Sequence, residues 1–222
     1  MNNRLDNLLS LVIATAALGM AGSFIFTSIS GRGGRSRQNP GKVSQVDDWR
    51  EFLPSTHHLA GSSTAPVIMI VFGDLECPAC RGYHSTVVKR AIASHAQDLS
   101  IEFAHFPLSM HRFAMPAARV TECVANLGAL SKWIDVVYQK QDSLGLKSWG
   151  SFAAEAGVSD TLSLNSCAAS SSEVANITAG VKYGNKLKIG GTPSVLLDGW
   201  LYPNPPSSEV IDSVLKSRGK VR

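Results

Sequence analysis

The chain has 222 residues, of which 44% are hydrophobic and 17% charged, with a formal net charge of +4. This length suits one domain of ordinary size with an appendage, and the composition excludes collagen-like and low-complexity proteins. Residues 1–40 hold four arginines and one aspartate, so they account for +3 of that charge and leave the remaining 182 residues near neutral. Because phosphate contacts supply most of the affinity for nucleic acids, such a body is not expected to bind them.

The N-terminal segment is apolar and carries no charge between Asp6 and Arg32. A helix over Leu8–Ile29 would be about 33 Å long, enough to cross a hydrocarbon core of roughly 30 Å. Two interpretations of residues 1–30 stay open: an uncleaved transmembrane anchor and a cleaved signal peptide. A third alternative, a buried soluble helix, fits less well because the run is terminal and not amphipathic.

Residues 31–45 are rich in Gly, Arg, Ser and Asn, so they are predicted to form a flexible linker. The linker raises a conflict over topology. Arg32, Arg35 and Arg37 outweigh Arg4 on the other flank, and positive residues tend to stay in the cytoplasm. That rule alone would leave the main domain in the cytoplasm, whereas the chemistry described below favours an extracytoplasmic location.

The rest of the chain alternates strand and helix signals. Two apolar runs of strand length, Val67–Phe72 and Leu99–Phe106, flank a predicted helix of about 17 residues that begins at Pro78. Residues 112–187 are almost wholly helical in pattern. A hairpin is then predicted at Asp198-Gly199, followed by a last helix. The order β-α-β, helices, β-β-α predicts an α/β sheet interrupted by a helical insertion.

The Cys77-Pro78-Ala79-Cys80 sequence lies where the first buried strand gives way to a helix. Pro78 suits the first helical position, which makes Cys77 the N-cap residue. Unpaired backbone N–H groups and the helix dipole would then stabilise a Cys77 thiolate, the form of cysteine that attacks disulfides.

The helical periodicity after this motif distinguishes the two sulfurs. Cys80 begins an i, i+3, i+4, i+7 face that should pack on the sheet, whereas Cys77 is expected to be exposed at the helix tip. An exposed attacking thiol with a buried partner suits a two-step dithiol exchange. The alternatives are a zinc site, for which no second C-x-x-C or H-x-x-x-H pair is present, and a purely structural loop disulfide.

The segment from Phe72 to Cys80 (FGDLECPAC) resembles the active-site stretch of the DsbA-like family of thioredoxin-fold proteins. His105-Phe106-Pro107-Leu108, the helical run and Gly191-Thr192-Pro193-Ser194 match the family in the same order. The resemblance covers residues 46–218 and implies a thioredoxin fold with an inserted all-helical subdomain at about 112–187.

The resemblance also implies roles for individual residues. Cys77 would be the nucleophile and Cys80 the resolving thiol, with no cofactor other than their redox-active disulfide. Thr192 and a cis Pro193 would face them and pair with a substrate strand. A structural disulfide between Cys123 and Cys167 is expected by the same likeness; the alternative is two buried free thiols.

Pro78 and Ala79, between the two cysteines, are expected to tune the thiols. Strong oxidants of the family carry a histidine where this chain has Ala79, so we expect a weaker oxidant here. His84, one turn beyond Cys80, either tunes the thiols or is a packed histidine.

Together these features predict a thiol–disulfide oxidoreductase that acts on exported proteins. It would be periplasmic or otherwise extracytoplasmic, tethered by residues 8–29 and served by a membrane redox partner. The competing hypothesis is a membrane-tethered binding module whose Cys77–Cys80 disulfide is redox-inert.

Overall fold

The computed structural model describes residues 42–159, 161 and 164–219. The predicted anchor or signal segment and most of the predicted linker lie outside these residues. None of the helices within the described ranges combines the length and the apolar character of a membrane span.

A single mixed sheet forms the centre of the fold. Its strands lie in the order β1-β6-β5-β3-β4-β2, and only the β3–β4 pair is parallel. The strands are β1 (Ser44–Gln45), β2 (His57–Gly61), β3 (Val67–Gly73), β4 (Leu99–His105), β5 (Ser194–Leu197) and β6 (Trp200–Tyr202).

Eight α-helices surround the sheet within the described residues. They are α1 (Pro78–Tyr83), α2 (Lys89–His95), α3 (Ala114–Ala125), α4 (Leu130–Gln139), α5 (Trp149–Glu155), α6 (Leu164–Ala169), α7 (Ala175–Lys186) and α8 (Ser208–Gly219). A π-helical turn, His84–Val88, joins α1 to α2, so that the predicted single helix after Pro78 is continuous. Short 3-10 helices cover Trp49–Ser55 and Gln141–Ser143.

The central strand β3 is covered on both faces, as its continuous apolar sequence predicts. Met69 and Val71 belong to a core shared with α1, α3, α4 and the last helix. Ile70 and Phe72 point the other way, into a second core with the 3-10 helix Trp49–Ser55. The predicted thioredoxin-type α/β architecture is therefore confirmed.

Two edge strands carry no clear sequence signal. Ser44 and Gln45, the last residues of the predicted linker, pair with β6 as strand β1. Both side chains are exposed, so this pairing depends on the backbone alone and leaves no apolar pattern to detect. Strand β2 was also missed, because its half-buried sequence HHLAG has a bulge that interrupts the alternation.

The helical run between β4 and β5 divides between two layers. Helix α7, predicted as part of the insertion at about 112–187, packs instead on the second face of the sheet. Its residues Ala179 and Tyr183 contact the core that holds Ile70 and Phe72. A Cβ at Gly180 would lie 2.2 Å from the His105 carbonyl oxygen, so α7 approaches β4 at the closest distance that glycine allows.

A disulfide joins Cys123 on α3 to Cys167 on α6, across 44 positions of sequence. It is the bond that the family resemblance implies. The two helices it connects belong to the inserted unit and lie apart from the Cys77-Pro78-Ala79-Cys80 motif in sequence.

We predict that the double variant Cys123→Ala/Cys167→Ala lowers the free energy of unfolding by about 3–4 kcal/mol, because it releases a loop of this length in the unfolded chain. Urea unfolding of the oxidised proteins measures the loss. Cys77→Ala/Cys80→Ala is the matched control, since it removes two sulfurs without opening this loop. Mass spectrometry that finds Cys123 and Cys167 as free thiols in the oxidised protein would contradict the prediction.

Candidate active site

The Cys77-Pro78-Ala79-Cys80 motif follows strand β3 and opens helix α1. Cys77 has an extended backbone (φ −73°, ψ 119°) and is the N-cap residue, with Pro78 in the first turn of the helix. The backbone N–H groups of Ala79 and Cys80, at the start of the helix, lower the pKa of Cys77. The predicted N-cap position of Cys77 is therefore confirmed.

The Cys77 thiol is strongly acidic in this setting. A hydrogen bond from the Cys80 thiol lowers the pKa of Cys77 most; burial opposes it, and the Thr192 side chain and the two backbone N–H groups add to the lowering. The resulting pKa is about 5, against an ordinary value of 9.0. Cys77 is thus a thiolate at neutral pH.

Cys80 has the opposite character. Its side chain is buried on the sheet-facing side of the helix, together with Tyr83, Val88 and Ala91, as the helical periodicity predicts. Burial, reinforced by the neighbouring Cys77 thiolate, raises the pKa of Cys80 far above its ordinary value. Cys80 therefore keeps its proton and can donate it to Cys77.

The loop before β5 lies directly against the Cys77 sulfur. The Thr192-Pro193 peptide bond is cis, and Cys77 Sγ is 3.3 Å from the Thr192 carbonyl oxygen. The Ser194 hydroxyl donates to the Gly191 carbonyl oxygen at 2.9 Å, which closes the loop on itself. Pro193 also lines a narrow cleft with Cys80 and Tyr138. The structure thus places Thr192 and Pro193 beside both cysteines.

The expectation that Cys77 is exposed is wrong. Only 6% of Cys77 is accessible, compared with 2% of Cys80. The cause is the Thr192-Pro193 loop, which covers the start of the helix and which local periodicity in α1 could not reveal. The two sulfurs differ in their hydrogen bonds and charge more than in their depth.

His84 is a packed histidine that borders the cleft at Cys80. Its Nε2 lies 2.6 Å from Asp135 Oδ1, and its ring is 5.0 Å from the ring of Tyr138. Burial lowers the pKa of His84, and the Asp135 carboxylate counteracts part of that effect. The described contacts of its ring nitrogen are with Asp135 rather than with a sulfur.

Buried Asp74 and half-buried His111 form a pair that the sequence did not predict. Asp74 Oδ2 accepts from His111 Nδ1 at 2.7 Å and from the Leu108 N–H at 2.9 Å, while its Oδ1 accepts from the Glu76 N–H. Burial would lower the pKa of His111, but the bond to Asp74 and the charge of Cys77 outweigh it and raise that pKa. The bond to Asp74 and the nearby Cys77 sulfur therefore favour the protonated form of His111.

Two further groups support the start of the helix. Gln141 Nε2 donates to the carbonyl oxygens of Leu75 and Cys77, at 2.8 and 3.0 Å. The Glu76 carboxylate accepts from the Phe113 N–H, just before α3. Both acidic residues that precede Cys77 in sequence thus have partners away from its sulfur. Gln141 and Glu76 have no sequence signal for these roles, because each role depends on a contact with a distant segment of the chain.

We predict that the thiolate absorbance of Cys77 at 240 nm titrates with a midpoint near pH 5 in the wild-type protein, as its pKa of about 5 requires. His111→Ala should move the midpoint upward, because it removes an imidazole whose protonated form favours the Cys77 thiolate. His58→Ala, at an exposed histidine that pairs with Glu102, is the control and should leave the midpoint unchanged.

The same titration has a consequence for stability. Because folding lowers the pKa of Cys77 from 9.0 to about 5, the thiolate stabilises the folded, reduced protein fully above pH 9, and this contribution is lost as pH falls through about 5.

For the titration itself, an identical midpoint in the wild-type protein and in His111→Ala would contradict the assigned role of His111.

Comparisons with known proteins agree with this geometry. A family model described as thioredoxin matches residues 54–217. Among solved structures, BdbD from Bacillus subtilis has a TM-score of 0.66 at 17% identity and covers 81% of this chain and 98% of its own. DsbA from Chlamydia trachomatis has a TM-score of 0.61 at 18% identity, and the match covers 75% of this chain and 90% of the DsbA chain.

A periplasmic thioredoxin-like protein from Salmonella enterica has a TM-score of 0.60 at 16% identity, covering 78% of this chain and 98% of its own. At such identities these likenesses concern the fold.

Curated relatives by sequence are Na(+)/H(+) antiporters. One from Mycolicibacterium vanbaalenii is 26% identical over 158 residues, which is 70% of this chain and 25% of the antiporter. One from Mycolicibacterium gilvum is 25% identical over 173 residues, 77% of this chain and 28% of the antiporter. The chain therefore spans about a quarter of the length of these relatives. With a family model that matches most of the chain, and with the sheet, helices and cysteine pair described above, the chain belongs to the thioredoxin family and has the fold of its DsbA-like members.

Proposed function

We propose that this chain is a thiol–disulfide oxidoreductase that exchanges disulfides with exported proteins through Cys77 and Cys80. The observation that carries the proposal is the contrast between the two sulfurs. Cys77 has a pKa of about 5 and is held by N–H groups at the start of a helix, whereas Cys80 is buried and protonated. A redox-inert structural disulfide has no need for this difference.

The exchange takes place in two steps that conserve electrons. When the protein acts as a disulfide donor, a substrate thiolate attacks the Cys77–Cys80 disulfide at Cys77 and Cys80 leaves as a thiolate that takes up a proton. A second substrate thiolate then attacks the mixed disulfide and releases Cys77 as a thiolate. The substrate loses two electrons and the Cys77–Cys80 pair gains them.

The reverse reaction begins with attack by the Cys77 thiolate on a substrate disulfide. Cys80 must then lose its proton to attack Cys77 Sγ and release the reduced substrate. The stable Cys77 thiolate is a good leaving group, which favours the donor direction.

Thr192 and Pro193 are proposed to bind the substrate chain. Their loop contacts the Cys77 sulfur, and a proline nitrogen has no proton to donate, so the Thr192 backbone is the natural partner for an extended segment. A segment paired there would have its sulfur next to Cys77 Sγ, which is 3.3 Å from the Thr192 carbonyl oxygen.

An extracytoplasmic, periplasmic location is part of the proposal. Disulfide exchange of this kind is suited to oxidising compartments, and the Salmonella enterica protein of similar fold is periplasmic. Residues 8–29 would tether the domain to the membrane, where a membrane redox partner would restore the Cys77–Cys80 disulfide or reduce it.

The variant Cys80→Ala should accumulate mixed disulfides with substrate proteins, because Cys77 can still attack but no thiol resolves the product. The complexes appear as bands on non-reducing gels that vanish when a reductant is added. Cys77→Ser should abolish insulin reduction altogether.

Two results would count against these roles. Complexes trapped by Cys77→Ala and absent from Cys80→Ala would reverse the assignment of the two cysteines. Insulin reduction by Cys77→Ser at the wild-type rate would instead favour the competing hypothesis of a binding module with an inert disulfide. Cys123→Ala/Cys167→Ala is the matched control and should retain activity.

We expect the reduction potential of the Cys77/Cys80 pair to lie between about −270 mV, the value for thioredoxin, and about −120 mV, the value for DsbA. The reason is that a pKa of about 5 for Cys77 lies between roughly 7 for thioredoxin and roughly 3.5 for DsbA. Equilibration with glutathione buffers of known ratio measures the potential.

Ala79→His provides the matched comparison, since Ala79 is exposed at the helix tip and an imidazole there meets no packed neighbour. That variant should be more oxidising than the wild-type protein. A wild-type potential at or above that of DsbA would show that a group already present, such as His111, replaces the missing histidine in full.

A further inference from the structure

Three side chains of types that can bind a metal ion converge near Phe103. His57 Nε2 and His105 Nε2 lie 2.6 and 2.9 Å from the same atom, Glu122 Oε1. The ligand atoms of the three residues are all within 4.8 Å of one another. They come from separate elements, β2, β4 and α3, so the fold itself assembles the cluster.

Hydrogen bonding alone leaves this cluster incomplete. His105 is 2% exposed, and its Nε2 has no hydrogen-bond partner within the part of the chain that the structure describes. Its contact with Glu122 has the distance of a hydrogen bond without the geometry. Burying an imidazole nitrogen beside a carboxylate without a hydrogen bond between them costs folding free energy. A cation bound to both groups would remove that cost.

A fourth residue orients the carboxylate. Asn176 Nδ2 donates to Glu122 Oε2 at 3.0 Å, which occupies one oxygen and leaves Oε1 facing the two imidazoles. Asn176 is in the first turn of α7, and that helix is fixed against β4 by the close approach of Gly180 to the His105 carbonyl oxygen. Such a partner behind a ligand is the usual support of a metal site.

We propose that His57, His105 and Glu122 bind one Zn²⁺ ion. Two imidazoles and a carboxylate suit zinc, whereas magnesium and calcium prefer oxygen ligands alone. A tetrahedral ion with bonds of about 2.0–2.1 Å separates its ligands by about 3.3 Å. The nitrogen–oxygen distances of 2.6 and 2.9 Å therefore need to widen by about 0.7 and 0.4 Å.

This site is separate from the proposed redox chemistry. The ring of Phe103 lies between the two groups in terms of contacts: it packs edge-on against His105 at 5.1 Å, and it lines the cleft with Cys80 and Pro193. The sequence predicts no metal site, because Cys123 and Cys167 are isolated and His57 and His58 are adjacent rather than spaced as a ligand pair. His57 and His105 are 48 positions apart, so no spacing motif could indicate this cluster.

The test uses the full chain in detergent, treated with a chelator and then oxidised, so that the thiols of Cys77 and Cys80 cannot bind zinc. Titration with ZnCl₂ against a chromophoric chelator should show one site per chain, and the melting temperature should rise with zinc concentration. Co²⁺ in its place should give the visible absorption of a four-coordinate ion.

Glu122→Gln and His57→Gln each remove one ligand with little change of volume and should weaken zinc binding by more than about a hundredfold. Asn176→Ala should weaken it by about 10- to 100-fold, the usual effect of losing a partner behind a ligand. His58→Gln is the matched control, because this neighbouring histidine pairs with Glu102 instead and should bind zinc as the wild-type protein does.

Circular dichroism and cooperative thermal unfolding in the absence of zinc establish that each variant is folded. The proposal is overturned if the oxidised wild-type protein binds no zinc at micromolar concentrations, or if Glu122→Gln and His57→Gln bind it as tightly as the wild-type protein. Because Cys77→Ser/Cys80→Ser should keep the zinc site, failure of the proposed redox function would not affect this result.

Discussion

The structure depends on strand β3, which is buried on both faces and ends where the reactive motif begins. Because Met69, Val71, Ile70 and Phe72 are fixed by two separate cores, the end of the strand has little freedom. Cys77 lies four residues after Gly73, the last residue of β3. Because β3 pairs with β5, the first turn of α1 starts at a defined point beside β5. The Thr192-Pro193 loop, which precedes β5, reaches the same point from the other side.

Electrostatic asymmetry within this small volume is the second organising feature. The helix start and the Cys80 thiol favour a negative charge on Cys77, while burial of Cys80 against the sheet disfavours a negative charge on Cys80. Asp74 and Glu76 precede Cys77 directly, and in sequence they look unfavourable for a thiolate. The fold removes that difficulty by giving each carboxylate its own N–H donors and by pairing Asp74 with His111.

Sequence reasoning identified those features that local pattern determines. The apolar run of β3, the N-cap position of Cys77, the buried face that begins at Cys80 and the Asp198-Gly199 hairpin all have short-range signals, and all are present. What it missed depends on contacts between distant segments: the covering of Cys77 by the Thr192-Pro193 loop, the Asp74–His111 pair and the cluster of His57, His105 and Glu122. The edge strand at Ser44 and Gln45 was missed because only backbone groups hold it.

The depth of Cys77 bears on which proteins the chain could serve. Because the Cys77 residue is only 6% accessible, a cysteine on a rigid, folded surface would have poor access to its sulfur. A substrate must present its cysteine on a flexible segment that can extend along the loop. The protein would then discriminate between substrates by how long each remains unfolded rather than by the identity of its side chains. A larger fraction of slow-folding chains than of fast-folding chains would react.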